Sequence, residues 1–136
     1  LRILGSDVNT DVLESAIHGC YAEKLLSPIP DSFRRRYFSS ESEKPNSHNQ
    51  IKTEIQRLIQ FRQFNLMSSE YPIATKFQLI FCRNVLYYLN PERRELLISK
   101  LVDHLEEGGW LVLGITESGY RIDKMEKHSI SIYQKT

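Results

Sequence analysis

Hydrophobic and polar positions in the first part of the chain follow the pattern of a strand and then a helix. The segment from Leu1 to Asp7 has the pattern of a short strand that ends in a carboxylate. Asn9 and Thr10 are residue types that cap helix N-termini, and the apolar residues that follow recur on one helical face up to Gly19. A strand, a carboxylate and a helix in this order make up half of a βαβ unit.

The second half of the chain shows the same alternation more clearly. The run Phe77–Cys82 is almost continuously apolar, which is typical of a strand buried on both faces in a parallel sheet. Asn90 followed by Pro91 predicts the start of a helix. Leucines spaced four residues apart form its buried face, and the pair Gly108-Gly109 is expected to end it.

Two further strands complete this pattern. Trp110–Ile115 is a second buried strand, and Ser129–Tyr133 alternates as a final strand, which we expect to pair with it as a hairpin. Strands that alternate with helices predict an α/β sheet.

The middle of the chain is less regular. Pro28 and Pro30 break any helix, and the polar stretch from Ser39 to Gln50 has the composition of an exposed loop. Ile51–Phe64 fits a helix by one set of apolar positions and strands by another, and we favour two strands.

Composition narrows the class of protein. A length of 136 residues indicates one domain. The 18 basic and 17 acidic residues balance, which argues against a nucleic-acid surface. No apolar run is long enough for a membrane span. The two cysteines are too few for a disulfide framework, so a soluble, cytoplasmic protein is expected.

Polar side chains follow several predicted strands. In open α/β sheets, ligands bind outside the carboxyl ends of the strands. Asp7 follows the first strand and Asn65 follows the segment that ends at Phe64. Two pairs follow the later buried strands: Arg83 with Asn84, and Thr116 with Glu117.

Asp7 has two interpretations. A carboxylate in this position of a nucleotide-binding sheet accepts hydrogen bonds from ribose hydroxyls, but it also serves as a simple helix cap. A ribose-binding carboxylate normally lies about 20 residues after a glycine-rich turn, and only six residues precede Asp7. We therefore expect a sheet without its first strand, which would expose strand edges and favour self-association or domain swapping.

Other polar residues have structural interpretations. The run Arg34-Arg35-Arg36 is expected to be a solvated patch, with contact to an acidic partner as the alternative. Cys82 ends an apolar strand and is expected to be a buried small residue rather than a nucleophile. The sequence shows no catalytic triad and no metal-ligand spacing.

These segments together resemble the catalytic domain of the CheR family of chemotaxis receptor methyltransferases, which use S-adenosylmethionine (SAM). The string Phe-Cys-Arg-Asn-Val followed by an aromatic pair is distinctive, and the resemblance covers nearly the whole chain. The matching stretches are Gly5–Leu13, Arg36–Phe38, Phe64–Met67, Ile80–Asn90 and Gly109–Ser118.

The resemblance implies a partial Rossmann-like methyltransferase sheet whose last strand is antiparallel, in one domain over residues 1–136. A small antiparallel β-subdomain is expected as an insertion at residues 37–64. By position, Asp7 binds the SAM ribose, Asn65 and Leu66 border the adenine, and Arg83 and Asn84 line the pocket under the methionine part. Tyr88 matches the family tyrosine near the transferred methyl group, so Arg83 and Tyr88 are the candidate catalytic residues.

The resemblance also implies a function and shows departures. The expected reaction transfers a methyl group from SAM to receptor glutamate carboxylates, with S-adenosylhomocysteine as the product. The family's glycine-rich turn and N-terminal helical domain have no counterpart in this sequence. Many members carry Gly-His-Ser-Glu where this chain has Gly114-Ile115-Thr116-Glu117. We therefore expect little activity from this chain alone.

Two other hypotheses remain from the sequence. The chain is alternatively a non-catalytic CheR-like module that docks a protein partner through its β-subdomain, with Arg34–Arg36 and the loop at 39–50 as the contact. A fragment of a dinucleotide-binding dehydrogenase is the weaker alternative, because the Phe-Cys-Arg-Asn string does not belong to that class.

Overall fold

The computed structural model describes residues 1–40, 48–117 and 119–136. The chain folds as two units, Leu1–Asn65 and Leu66–Thr136, and each is described by itself. Both contain helices and strands, so the mixed α/β class predicted from the sequence is confirmed.

The described residues of the first unit form nine elements. In chain order they are β1 (Ile3–Asp7), α1 (Thr10–His18), β2 (Cys20–Ala22), α2 (Glu23–Leu26), α3 (Asp31–Tyr37), β3 (Phe38–Ser40), β4 (His48–Ile51), α4 (Thr53–Gln56) and β5 (Ile59–Gln63). They form a parallel pair of strands, β1 with β5, and a separate antiparallel sheet in the order β2-β4-β3.

Helix α1 begins and ends as its sequence predicts. The Asn9 side chain accepts hydrogen bonds from the backbone N–H groups of Asp11, at 2.8 Å, and Val12, at 3.4 Å. Gly19 ends the helix in the left-handed conformation, with φ of +66°, and its N–H donates to the Ser15 carbonyl. Both ends therefore follow from local side-chain and backbone chemistry.

The structure of the middle segment differs from its prediction. Ile51–Phe64 forms the short helix α4 and a single strand, β5, rather than two strands. The antiparallel sheet runs from Cys20 to Ile51, so its extent differs from the predicted insertion at 37–64. Strand β5 pairs with β1 instead, in parallel register from Ile3↔Ile59 to Asp7↔Gln63.

Part of the polar stretch 39–50, predicted as a loop, forms strands instead. Its ends belong to β3 and β4, where Ser39 pairs with Gln50 and Phe38 with Ile51. Residues 41–47 of this prediction lie outside the described residues. These polar segments form strands because they pair with each other, although their composition alone does not indicate strands.

Arg34 is not part of a solvated patch, so this prediction was wrong for one of its three arginines. Its guanidinium bonds to the carboxylates of Glu23 and Asp31, and its side chain is only 29% exposed. The hydrogen bond from Arg34 lowers the pKa of Asp31. Arg35 and Arg36 remain exposed on the same helix.

The second unit consists of a four-stranded sheet and one long helix. Its elements are β6 (Phe77–Cys82), a 3-10 helix (Leu86–Tyr88), α5 (Pro91–Asp103), β7 (Leu105–Leu113), a second 3-10 helix (Ile115–Glu117), β8 (Met125–Lys127) and β9 (Ile132–Lys135). The strand order is β6-β7-β9-β8. Strands β6 and β7 are parallel, and β9 runs antiparallel to β7, as expected for the final strand. The last strand spans Ile132–Lys135 rather than Ser129–Tyr133, and its hairpin partner is β8, which the sequence did not predict.

Helix α5 covers the core of this unit. The Asn90 side chain accepts a hydrogen bond from the Arg93 N–H at 3.0 Å, and Pro91 occupies the first turn, as predicted. The buried face consists of Leu97, Ile98, Leu101 and Val102. No helix in the described parts of the chain is long and apolar enough to cross a membrane.

Helix α5 ends earlier than predicted, and a lysine of the last strand binds backbone carbonyls next to this end. The buried ammonium of Lys135 donates to the carbonyls of Val102, at 3.1 Å, and Leu105, at 3.0 Å. It also pairs with Glu107 at 3.2 Å. The helix ends at Asp103, and β7 begins at Leu105 rather than at Trp110.

Strand β6 is not buried on both faces, which corrects the prediction from its apolar run. Ile80 and Cys82 pack towards the core on the side of α5. Leu79 and Phe81 alternate to the other face and are 47% and 67% exposed. The strand lies at one edge of the four-stranded sheet, with β7 as its neighbour.

Candidate functional site

In the first unit, two predicted site residues lie at the same edge of the parallel pair. Strand β1 ends at Asp7 and β5 ends at Gln63, and these two residues are partners in the register. The Gln63 side chain donates to the Val8 carbonyl at 2.9 Å, and the Phe64 N–H donates to the Asp7 carbonyl at 3.3 Å. These bonds hold Asn65, two residues beyond β5, near the carboxyl end of β1.

The Asp7 carboxylate also has the local role that the sequence left open. Its Oδ1 accepts the Asn9 N–H at 2.9 Å, and Asn9 in turn caps α1. A carboxylate has about four acceptor sites. The local bond therefore leaves capacity for a second set of donors, and the two interpretations of Asp7 are compatible.

In the second unit, the remaining predicted residues follow the carboxyl ends of β6 and β7. The register pairs Cys82 with Leu113, so both strands end at the same level. Arg83, Asn84 and Tyr88 come after β6 and are exposed. These three residues lie on one stretch of six residues, which we call the Arg83–Tyr88 segment.

An exposed aromatic pair lies within this segment. Tyr87 and Tyr88 are 73% and 82% exposed, and their rings meet edge to face with centroids 5.7 Å apart. Ile115, on the loop after β7, is also exposed. Aromatic side chains in such a position provide apolar contact surface and hydroxyl groups together.

Glu117 lies shortly after the end of β7, and the sequence alone assigned no role to it. It is 3% exposed, and its carboxylate accepts three backbone N–H groups. The donors are Asn84 at 2.8 Å, Gly114 at 3.0 Å and Tyr87 at 3.2 Å. The carboxylate therefore connects the loop after β7 to the Arg83–Tyr88 segment.

Arg94 binds backbone carbonyl groups in the same region, and this role was not predicted from the sequence. Its Nε donates to the carbonyls of Leu86, at 2.9 Å, and Leu89, at 2.7 Å. Glu117 accepts from two N–H groups of the segment, and Arg94 donates to its Leu86 carbonyl and to the Leu89 carbonyl just beyond it. The backbone is thus held through both kinds of polar group.

Asn84 and Gly114 show how closely these loops approach. Asn84 has a φ of +61°, a left-handed conformation that asparagine tolerates better than most residues. A Cβ on Gly114 would lie 2.6 Å from Glu117 Oε2 and 2.8 Å from Asn84 Oδ1. Only glycine leaves space for the carboxylate at this position.

Leu66 packs partly buried against the core of the second unit. Its carbonyl accepts a hydrogen bond from the Tyr71 hydroxyl. Burial raises the pKa of Tyr71 to about 12, and the charge of the Cys82 thiolate adds to this effect. Tyr71 therefore keeps its proton at neutral pH and remains a hydrogen-bond donor.

Cys82 is a buried thiol, in agreement with its predicted structural role. It is 5% exposed, and burial, followed by the charge of Glu117, raises its pKa to about 11. Because the thiolate is the reactive form, we expect an aromatic disulfide reagent at pH 8 to modify Cys20 quickly and Cys82 only upon unfolding. The time course of thiol release measures both rates.

The matched variant for this experiment is Cys20→Ser. It is expected to show no fast phase and one slow phase that denaturant accelerates. A fast phase in Cys20→Ser would contradict the assignment of Cys82 as a buried, protonated thiol.

Comparison with known proteins identifies the family. The family described as "CheR methyltransferase, SAM binding domain" matches residues 1–133. The chain belongs to the CheR family. The cofactor of this CheR domain is S-adenosylmethionine, and the prediction of the family and of its cofactor is confirmed.

Two of the curated relatives are named chemotaxis protein methyltransferase. The chain is 35% identical over 118 residues to a chemotaxis protein methyltransferase of Vibrio parahaemolyticus and 30% identical over 118 residues to one of Borreliella burgdorferi. Each match covers 87% of this chain but only 42% and 41% of the respective relative. A third match, 32% identical, covers 12% of an uncharacterised 104.1 kDa protein of Rhodobacter capsulatus. The CheR chain thus spans about two-fifths of the two methyltransferases.

Proposed function

We propose that this chain is the SAM-binding part of a protein-glutamate O-methyltransferase that acts on chemotaxis receptors. The observation that carries the proposal is the position of its polar residues. Asp7 in the first unit, and Arg83, Asn84 and Tyr88 in the second, follow the carboxyl ends of parallel strands in a chain of the SAM-binding family. Ligands bind at such ends in α/β sheets.

The donor and acceptor groups present suit the cofactor. The Asp7 carboxylate has acceptor capacity beyond its bond to Asn9, which suits ribose hydroxyls. Asn65 and Leu66 would border the adenine. Arg83 and Asn84 would line the pocket under the methionine part, on a segment whose backbone Glu117 fixes.

The proposed chemistry demands alignment more than proton transfer. SAM supplies a methyl group on a sulfonium sulfur. A glutamate side chain, with a pKa of about 4.3, is already ionised at neutral pH and needs no strong base. Arg83 and Tyr88 would orient the acceptor carboxylate, and positioning of this kind supplies roughly 7–11 kcal/mol of a barrier.

Calorimetric titration with S-adenosylhomocysteine tests the proposal. Asp7→Asn is the sharpest variant, because its side-chain oxygen can still accept the Asn9 N–H while the charge is lost. We expect this substitution to weaken binding by about tenfold or more, since hydrogen bonds to charged groups contribute about 1.5–3 kcal/mol.

The control is Asp11→Asn, which changes an exposed carboxylate in the first turn of α1. It is expected to leave the affinity unchanged. Absence of binding by the unsubstituted chain, or equal affinity of Asp7→Asn and the unsubstituted chain, would contradict the proposed cofactor site.

The receptor substrate and the cytoplasmic location are part of this proposal. They rest on the names of the relatives and on composition. The expectation that the 136-residue chain alone has little activity stays a prediction, and methylation of a receptor by this chain would contradict it. The alternative, a docking module that uses Arg34–Arg36, loses one contact because Arg34 is engaged with Glu23 and Asp31.

We also propose that strand β6 promotes self-association. It lies at a sheet edge and carries the exposed side chains of Leu79 and Phe81. Edge strands with apolar side chains pair with other chains. Light scattering is expected to show a mass that rises with concentration for the unsubstituted chain and less so for Phe81→Lys. A constant monomer mass at high concentration would count against it.

A further inference from the structure

The Glu117 carboxylate is buried without a cationic side chain among the hydrogen bonds described for it. Its donors are the backbone N–H groups of Asn84, Tyr87 and Gly114. Burial of an ionised carboxylate is unfavourable unless hydrogen bonds replace its water shell. The three N–H groups are therefore the reason that this carboxylate can lie in the protein interior.

Two of these bonds are long-range. The bond to Gly114 spans only three residues and belongs to the local turn. The bonds to Asn84 and Tyr87 span 33 and 30 residues and join a different loop. Two of the three hydrogen bonds described for Glu117 thus act on the Arg83–Tyr88 segment rather than on its own turn.

The hydrogen bond from Asn84 to Glu117 is made by the residue of the segment that has an unfavourable backbone conformation. Asn84 adopts a φ of +61°, which is unfavourable for a residue with a Cβ. Its N–H is one of the two donors to Glu117 Oε2. Removal of the acceptor would leave a partly buried donor without this partner and allow Asn84 to relax towards an ordinary conformation.

We propose that Glu117 is a positioning residue that holds the Arg83–Tyr88 segment in the geometry that binds the cofactor. This inference rests on the proposed function for its consequence, but the hydrogen bonds on which it depends can be tested separately. Glu117 acts through the backbone of Asn84 and Tyr87, and it fixes where the side chains of Arg83, Asn84 and Tyr88 project.

The test compares Glu117→Gln with Glu95→Gln, an exposed control on α5. Amide hydrogen exchange by NMR gives the local readout, and calorimetric titration with S-adenosylhomocysteine gives the functional one. The glutamine keeps one acceptor oxygen and places an NH₂ group against the remaining donors. We therefore expect Glu117→Gln to speed exchange at Asn84, at Tyr87 or at both at least tenfold, with core amides of α5 unchanged, and to weaken binding at least tenfold. Glu95→Gln is expected to change neither.

Two results would overturn the inference. One is unchanged exchange at Asn84 and Tyr87 in Glu117→Gln, and the other is unchanged affinity when those amides are released. If the unsubstituted chain does not bind S-adenosylhomocysteine, the proposed function fails. The exchange data then still decide whether Glu117 holds the segment.

A second variant covers the case in which Glu117→Gln unfolds. Glu117→Asp keeps a carboxylate one methylene shorter, and the same local loss of protection with an intact core is expected. Loss of core protection in both variants would overturn the proposal, because it would assign Glu117 to overall stability rather than to this segment.

Discussion

Replacement of Gly114 by alanine is expected to destabilise the second unit by about 3 kcal/mol. The new Cβ would lie 2.6 Å from Glu117 Oε2 and 2.8 Å from Asn84 Oδ1, closer than real contacts allow. Either the carboxylate moves away from its three donors or the two loops separate. Overpacking costs about 1–3 kcal/mol, and hydrogen bonds to a charged group contribute about 1.5–3 kcal/mol.

Chemical denaturation measures this loss, and Gly119→Ala is the control. A Cβ on Gly119 would meet nothing within 4 Å, so only its backbone strain, with φ of +100°, opposes the substitution. We expect about 1 kcal/mol there. Equal effects of the two alanines would show that the close approach of Glu117 to Gly114 does not limit stability.

Replacement of Leu97 by alanine is expected to cost about 3 kcal/mol of unfolding free energy. Leu97 is 0% exposed and belongs to the core cluster that α5 forms with β7 and β9. Truncation of a buried leucine removes apolar contacts and leaves a cavity, and such substitutions cost about 2–5 kcal/mol. The midpoint of denaturant unfolding should fall while the slope stays constant.

The neighbouring Leu96 provides the matched control on the same helix. Its side chain is 50% exposed, and Leu96→Ala should change stability by less than about 1 kcal/mol. A small effect at both positions would contradict the assignment of the buried face of α5.

The elements that could be predicted from sequence are those with local end signals. Asn9 and Asn90 cap their helices through their own side chains, so both helix starts can be predicted from sequence. The start of β7 could not be predicted, because Glu106-Glu107-Gly108 has the composition of a turn. Pairing of the strand with its neighbours extends it back to Leu105.

The candidate site also contains residues that the sequence predicted and one that it did not. The sequence indicated that Asp7 and Arg83 follow strands, and the registers of the two parallel pairs agree. It did not indicate that Glu117 is buried, because the donors to Glu117 are backbone groups. Every residue except proline has a backbone N–H, so such donors leave no signal in the order of side chains.

The contact between Lys135 and the end of α5 has a consequence for the order of folding. The carbonyls of Val102 and Leu105 receive their buried donor from a residue some thirty positions later in the chain. Until β9 docks, those carbonyls depend on water. Long-range contacts form after local ones. During folding, the amides in the last turn of α5 should therefore become protected from exchange late, together with β9 and after the turns of α5 next to Asn90.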